Sequence, residues 1–211
     1  MSRTSQTNSN RVPSPVKFYI NFNQDGEFVY YDAEKKERVS LGSDLDFLVM
    51  DTRSAVGGFN KALDARIYSN MVKSVVTEEV TVKCGKETID KGIWAEIKDR
   101  VKAKGAKFCT KVFALAKING TLEPVELDFM GSALGDWMSF IEELGGKWAT
   151  YSSTISATKG EERKSGKNIY YGVAFSLKPL DPADNDAANA FNDDKLQPYL
   201  NAGVAQEAAV V

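Results

Sequence analysis

An Asn-Gly pair in the middle of the chain places the strongest constraint on its fold. Asn119-Gly120 joins two runs of residues, 107–118 and 121–129, in which apolar and polar side chains largely alternate. Alternation with a period of two predicts β-strands, and Asn-Gly between such runs is typical of a tight turn, because both residues tolerate positive φ. The sequence therefore predicts a long antiparallel hairpin at the centre of a β-rich fold.

Further strands are predicted on both sides of this hairpin, with two helices among them. The strand candidates are residues 17–22, 27–32, 39–41, 45–52, 66–72, 80–84, 150–158 and 169–178. Apolar residues recur at helical spacing within residues 90–104 and 132–144. This pattern predicts a mainly β fold with two helices, arranged as a small, partly open β-barrel with extra hairpins. A sandwich of about four to six strands is the alternative.

The two ends of the chain differ in composition from its middle. Residues 1–15 are polar and contain two prolines, and residues 181–211 carry six acidic residues against one lysine. Neither stretch has enough apolar side chains to offset the entropy lost on ordering. We therefore expect a disordered N-terminal arm and a flexible acidic C-terminal tail. The folded domain is predicted to span residues 16–180.

Histidine is absent from the chain, and this excludes several classes of function. Catalytic Ser-His-Asp and Cys-His systems need an imidazole, and two cysteines alone cannot complete the usual zinc site. The glycine motifs that bind nucleotide phosphates are also missing. We expect no enzymatic activity, metal or cofactor. With no membrane helix and no secretory signal in the sequence, we expect a cytoplasmic protein whose Cys84 and Cys109 are reduced and buried.

Charge is segregated along the chain, although the formal total is only −2. Residues 60–120 carry a net charge of +6 and residues 147–180 a net +4, whereas residues 121–146 and 181–211 carry −6 and −5. Because salt screens a charge beyond about 10 Å, a basic binding site needs only local positive charge. The small total therefore does not exclude a nucleic-acid partner.

One face of the strand at residues 107–117 is typical of a surface that binds single-stranded nucleic acid. Lys107, Lys111, Phe113 and Lys117 share this odd-numbered face. Ammonium groups contact phosphates, and an aromatic ring between them stacks on a base. The even-numbered face is small and mainly apolar, so it is predicted to face the core. An alternative stays open, since lysines on an edge strand also prevent aggregation.

Other cations and aromatic residues extend the predicted binding site to ten residues. The additional members are Arg53, Phe59, Arg66 and Tyr68 around the Gly57-Gly58 loop, and Lys167 and Tyr170 in the second hairpin. The loop of that hairpin, residues 159–167, is rich in cations and is predicted to act as a mobile clamp.

Several segments carry a family resemblance: Asp51-Thr-Arg-Ser-Ala-Val-Gly-Gly-Phe59 followed by Ile67-Tyr-Ser-Asn70, Gly92-Ile-Trp-Ala-Glu-Ile-Lys98 with Gly105-Ala-Lys-Phe108, and Gly131-Ser-Ala-Leu-Gly-Asp-Trp137. Over residues 44–145 the chain resembles phage-encoded single-stranded-DNA-binding proteins of the OB-fold type. The resemblance implies an OB-fold-like barrel and a non-enzymatic protein that coats exposed strands during phage DNA replication, recombination or repair in the infected host cell. It also implies that the acidic tail recruits replication or recombination proteins or competes with DNA.

The expected function is therefore sequence-tolerant binding of single-stranded DNA. The main alternative is a phage structural or protein-interaction module with no nucleic-acid binding, in which the lysines of residues 107–117 only protect an edge strand. A carboxylate-dependent enzyme is a further alternative, but no pair of acidic residues has a spacing that singles it out.

Overall fold

The computed structural model describes residues 12–208, including the side chains of residues 12–202. Its strands are β1 (Phe18–Phe22), β2 (Phe28–Asp32), β3 (Glu37–Gly42), β4 (Asp44–Asn60), β5 (Ala65–Ser69), β6 (Val80–Cys84), β7 (Glu87–Gly92), β8 (Ala106–Ile118), β9 (Thr121–Met130), β10 (Thr154–Ser165) and β11 (Asn168–Lys178). Its helices are α1 (Trp94–Lys102), α2 (Gly131–Glu143), α3 (Pro182–Phe191) and α4 (Gln197–Ala208), with a 3-10 helix at Lys147–Tyr151 and a π-helical turn at Asn192–Leu196. The mainly β character is thus confirmed.

The predicted central hairpin is also confirmed. β8 and β9 pair in antiparallel register along their length, and Ile118 lies opposite Thr121 beside the turn. Asn119 and Gly120 form the turn with φ values of 52° and 81°. Both values lie in the left-handed region that a two-residue hairpin turn of this kind requires. The two predicted helical segments correspond to α1 and α2.

The predicted barrel is wrong, because the sheet is open. The described strands form one sheet in the order β3-β2-β1-β9-β8-β4-β5-β6-β7, with β10 and β11 attached beside the start of β4. A barrel needs its two end strands to hydrogen-bond to each other. Here β1 joins the sheet through parallel pairing with β9, which places β3 and β7 at opposite ends. The alternative prediction, a sandwich, also differs from this single sheet.

β4 is the longest described strand and connects the parts of the sheet. The sequence predicted that it ends at Thr52, but it continues to Asn60. It pairs with β10 at its start, with β8 along most of its length and with β5 at its end. β4 has a strand on both sides only at its two ends, and in its middle it pairs with β8 and, through an isolated bridge at Ser54, with Val72.

Even-numbered residues of β8 face the core, as predicted. Val112 is fully buried in an apolar cluster that includes Trp137 of α2 and residues of β1, β2, β10 and β11. A second cluster lies between α1 and strands β4, β5 and β6, and it contains Val56 and Ile97. Burial of each such aliphatic side chain contributes about 1.5–3 kcal/mol relative to exposure. Both helices therefore cover the same face of the sheet.

Residues 182–208, predicted to be part of a flexible tail, are helical, and apolar residues between Ala188 and Leu200 pack on the odd-numbered face of β8. The Asp181 carboxylate caps α3 by accepting hydrogen bonds from the first backbone N–H groups of the helix. Leu196 and Leu200 are buried against Phe113. The prediction overlooked this contact because the few apolar residues are spread among many acidic and small ones.

The described part of the chain omits residues at both ends. Residues 1–11 of the predicted arm lie outside the described residues, and residues 12–17 precede β1 without regular secondary structure. Residues 209–211 of the predicted tail also lie outside the described part of the chain.

The second hairpin is present, but its loop is much shorter than predicted. β10 and β11 pair from Thr154 opposite Lys178 to Ser165 opposite Asn168. Most of the cationic residues assigned to a mobile clamp therefore lie within paired strands. Backbone pairing restricts their movement, so the long loop required for a clamp is missing from this hairpin.

Candidate nucleic-acid interface

An open groove with a volume of about 870 Å³ lies at the far end of β4. The β4–β5 hairpin, the turn between α1 and β8, and the end of β9 form its walls. Five of the ten predicted residues line it, namely Phe59, Arg66, Tyr68, Lys107 and Lys111. The fold thus brings two separate groups of predicted residues into one site.

A glycine lies on the floor of this groove, between an aromatic residue and a cation. Gly57 pairs with Tyr68 on one side and with Lys107 on the other, so all three residues face the same side of the sheet. Because Gly57 has no side chain, the space between its two neighbours stays open. The Tyr68 hydroxyl donates a hydrogen bond of 2.8 Å to the carbonyl of Gly85, and 42% of Tyr68 is exposed. The ring is therefore anchored and accessible.

A second ring and a second cation lie beside this row. Phe59 pairs with Arg66 across β4 and β5. Phe59 lies two residues beyond Gly57 and therefore on the same face of the sheet. Phe59 is 49% exposed, which is unusual for a large apolar ring. An exposed ring next to a guanidinium group suits stacking on a base together with contact to a phosphate.

Close backbone contact between two glycines shapes the rim of the groove. A Cβ atom on Gly58 would lie 2.4 Å from the carbonyl oxygen of Gly105, and a Cβ atom on Gly105 would lie 2.4 Å from that of Phe59. Both glycines have positive φ, at 149° and 94°. Only glycine allows the turn after α1 to lie directly against the end of β4. This contact holds Lys104 at the edge of the groove.

Positive charge dominates the lining of the groove. The lining cations besides Lys111 are Lys61, Arg66, Lys104 and Lys107, whereas Asp128 is the one carboxylate among the described lining residues. Within residues 12–202, none of these four cations forms an ion pair. Lys104 Nζ donates a hydrogen bond of 3.2 Å to the carbonyl of Ile89, whereas Lys61, Arg66 and Lys107 present their charge to an anionic ligand.

Lys111 lines the groove, but neighbouring carboxylates already neutralise its charge. Its Nζ lies 2.5 Å from Glu126 Oε1 and 2.7 Å from Asp128 Oδ1. Burial alone would lower the pKa of Lys111, but the two carboxylates hold that pKa above its ordinary value. Burial raises the pKa of Glu126, although the Lys111 ammonium opposes this. Lys111 therefore stays charged and joins β8 to β9, and it is not a free contact for phosphate.

Three other predicted residues are engaged within the fold. Phe113 is fully buried beneath α4, so its ring cannot stack on a base in this structure. Arg53 is only 8% exposed and pairs with Asp51 at 2.5 Å. Lys117 pairs with Asp184 of α3 at 2.8 Å. The binding face predicted for β8 is thus free only at Lys107, because carboxylates of β9 bind Lys111 and the C-terminal helices engage Phe113 and Lys117.

The last two predicted residues lie outside the groove. Lys167 is in the turn of the β10–β11 hairpin, and Tyr170 lies opposite Arg163 near the same end. The Arg163 guanidinium group binds the Asp136 carboxylate of α2 at 2.8 Å. The end of the hairpin is thus tied to a helix.

Lys104, Asn21 and Met130 also line the groove, and the sequence did not single them out. For Lys104, membership of the basic segment at residues 60–120 is the available signal. The contact that brings its turn to the groove depends on two glycines far apart in sequence. Such a contact leaves no periodic pattern that could have predicted it.

No protein-family model, curated protein or solved structure matches this chain. Among the described residues, no helix is both long and apolar enough to span a bilayer. The same residues contain no cluster of three or more cysteine or acidic side chains placed to hold a metal ion. What the groove itself offers is positive charge together with exposed aromatic rings.

Proposed function

We propose that this protein binds single-stranded DNA without strong sequence preference. One observation carries the proposal: two exposed rings, Phe59 and Tyr68, line the same open groove as four cations that form no ion pair within the described residues. Cations bind the phosphates of any strand, and every base has a face on which a ring can stack. Bases of a duplex already stack on each other, so an unpaired strand suits the groove better.

The family resemblance supports a setting for this activity. The proposed role is non-enzymatic protection of exposed strands during phage DNA replication, recombination or repair, in the cytoplasm of the infected host cell. The C-terminal helices cover part of the sheet face that also forms the groove. Their proposed role is to compete with DNA for that face or to contact replication or recombination proteins.

Salt dependence of binding tests the role of the free cations. Labelled oligo-dT is titrated at low and moderate salt, and fluorescence anisotropy reports the affinity. For single strands, the slope of log K against log salt is about −0.7 for each phosphate contact. The double variant Arg66→Ala/Lys107→Ala should therefore bind more weakly, with a slope that is smaller in magnitude by about 1.4.

A matched pair of cations outside the groove provides the control. Lys91 and Lys164 are exposed and lie 3.4 and 3.6 Å from the carboxylates of Glu79 and Glu162. The variant Lys91→Ala/Lys164→Ala also removes two charges, but it should keep the wild-type slope. An equal decrease in both double variants would show that net charge, and not the groove, determines affinity.

Removal of the rings tests the stacking contribution. Phe59→Ala and Tyr68→Ala should each weaken binding by about 5- to 150-fold, since one base–aromatic stack contributes about 1–3 kcal/mol. Tyr68→Phe keeps the ring and should retain most of the affinity. Absence of binding by the wild-type protein at both salt concentrations, or a salt-independent affinity, would refute the proposal. Co-purification of a phage protein without any oligonucleotide binding would instead favour a structural or protein-interaction module.

A further inference from the structure

A second group of exposed rings lies outside the groove. Tyr19 of β1 is 50% exposed and Tyr31 of β2 is 60% exposed. Tyr31 pairs with Arg38 of β3, which is exposed and forms no ion pair within residues 12–202. The group therefore repeats the combination found in the groove, namely accessible rings beside a cation without a partner. We call these three residues the tyrosine cluster.

Strand register places Tyr19 on the same face of the sheet as the groove. Tyr19 pairs with Glu126 of β9, and Glu126 pairs with Phe113 of β8. Residues paired across neighbouring strands point to the same side, and so do residues two positions apart on one strand. Phe113 and Lys107 are six residues apart and therefore share a side. Tyr19 thus faces the side from which Lys107 lines the groove.

The rest of the tyrosine cluster follows from the same register. Asn21 pairs with Val29, so Tyr19 and Tyr31, each two residues away, lie on that face as well. The opposite face of these strands is core, where Ile20 is 1% exposed. The residues directly before and after each tyrosine on its strand are less exposed. The exposed tyrosines therefore mark one side of the β1–β2 pair.

Asn21 and Asp128 connect the groove to the tyrosine cluster. Both line the groove, and they pair with each other across β1 and β9. Lys111 binds Asp128, so this carboxylate does not present an unopposed negative charge to a phosphate backbone. Tyr19 lies two residues from Asn21 on the same strand, just outside the groove lining. β1 is the direct neighbour of β9 in the strand order, so no strand separates Asn21 from the groove lining on β9, whereas α4 covers Phe113 further along the same face.

Tyr19 lies near the end of the groove lining at Asn21 but far from the ring of Tyr68. Tyr19 is four strands away from Tyr68 in the sheet order and lies level with Phe113. With about 4.8 Å between strands and about 3.3 Å per residue, the separation is roughly 19 Å across the strands and roughly 20 Å along them. The direct distance is therefore roughly 28 Å, and it runs diagonally across the sheet.

We propose that the tyrosine cluster is a second contact site for the same DNA strand that occupies the groove, which makes affinity depend on oligonucleotide length. The inference rests on the proposed function of the groove. A short oligonucleotide fills the groove alone. A longer one continues past Asn21, stacks on Tyr19 and Tyr31, and places a phosphate near Arg38.

The test compares two oligonucleotide lengths in one set of variants. Oligo-dT of about 4 and about 16 nucleotides, the limits of typical site sizes for modules of this kind, is titrated by fluorescence anisotropy. Tyr19→Ala/Tyr31→Ala should weaken binding of the long oligonucleotide by at least about fivefold and leave the short one unchanged. Tyr19→Phe/Tyr31→Phe keeps both rings and should retain the wild-type affinity for both lengths. Thermal melting verifies that each variant is folded.

Trp148 provides the matched control, because it is 79% exposed and lies on the 3-10 helix outside the sheet. Trp148→Ala should bind both lengths as the wild type does. Wild-type affinity of Tyr19→Ala/Tyr31→Ala for the long oligonucleotide would overturn the inference and leave the groove proposal intact. An equal loss in Trp148→Ala would also overturn it. Failure of the wild-type protein to bind either length would instead refute the proposed function itself.

Discussion

Replacement of Lys111 by methionine should cost the fold far more than it costs DNA binding. Lys111 Nζ lies 2.5 Å from Glu126 and 2.7 Å from Asp128, and the exposed fractions of the three side chains are 17%, 6% and 15%. Methionine keeps an unbranched side chain of similar length but removes the charge. The two carboxylates then face each other without a cation. Breaking a buried ion pair in this way destabilises proteins by about 3–5 kcal/mol.

The loss of stability in Lys111→Met should depend on pH. Burial already raises the pKa of Glu126, and loss of the lysine removes the main influence that lowers it. In the folded variant Glu126 keeps its proton at pH values where the unfolded chain has already released it, because the ordinary pKa of a glutamate is about 4.3. Stability of the variant therefore falls as pH rises through the window between that value and the higher folded pKa, and it recovers toward lower pH.

Urea unfolding at several pH values measures this effect, with Lys111→Met/Glu126→Gln as the companion variant. The second substitution removes the unpaired charge and should restore at least half of the lost free energy of unfolding. A loss below about 1 kcal/mol at neutral pH, or no recovery in the double variant, would refute the assigned cost of burying these carboxylates. Lys107→Ala provides the contrast, since its ammonium group is exposed: it should weaken DNA binding without a comparable loss of stability.

Three further predictions concern other parts of the molecule. Gly58→Ala should destabilise the protein by about 1–3 kcal/mol in thermal or urea unfolding, because Gly58 has a positive φ and a Cβ there would lie 2.4 Å from the carbonyl oxygen of Gly105. An unchanged unfolding midpoint would contradict this contact. Deletion of residues 181–211 should uncover Phe113, increase binding of a hydrophobic dye and raise DNA affinity, and unchanged values would show that the helices do not shield this face. Cys84 and Cys109 are free and buried, as predicted, and burial also raises the pKa of Cys109. Both thiols should therefore react with a thiol reagent only as the protein unfolds, and rapid reaction of both in the folded protein would contradict this prediction.

Local signals in the sequence predicted much of the fold. The Asn119-Gly120 turn fixes its hairpin through two residues that accept positive φ, so no distant contact is needed. β7 was missed because Glu87–Gly92 is mostly polar and lacks alternation. Its pairing with β6 is a property of the assembled sheet. Edge strands with one neighbour bury little surface and leave a weak hydrophobic pattern.

The candidate site was predictable in residue type but not in arrangement. Alternation placed Lys107 and Phe113 correctly on one face of β8, yet it could not show that α4 covers the second of them. Leu196 and Leu200 produce that cover, and in sequence they belong to a segment dominated by acidic and small residues. Charge patterns show which residues can bind DNA, whereas tertiary contacts decide which of them remain free.

The length of β4 has a consequence for how the two apolar clusters depend on each other. Phe47, near the start of the strand, belongs to the cluster with α2, and Val56, near its end, belongs to the cluster with α1. One continuous backbone therefore takes part in both. Melting of either cluster removes hydrogen-bonded neighbours from the same strand, so we expect the two to lose structure together in a single cooperative transition. Two hydrophobic cores here amount to one folding unit.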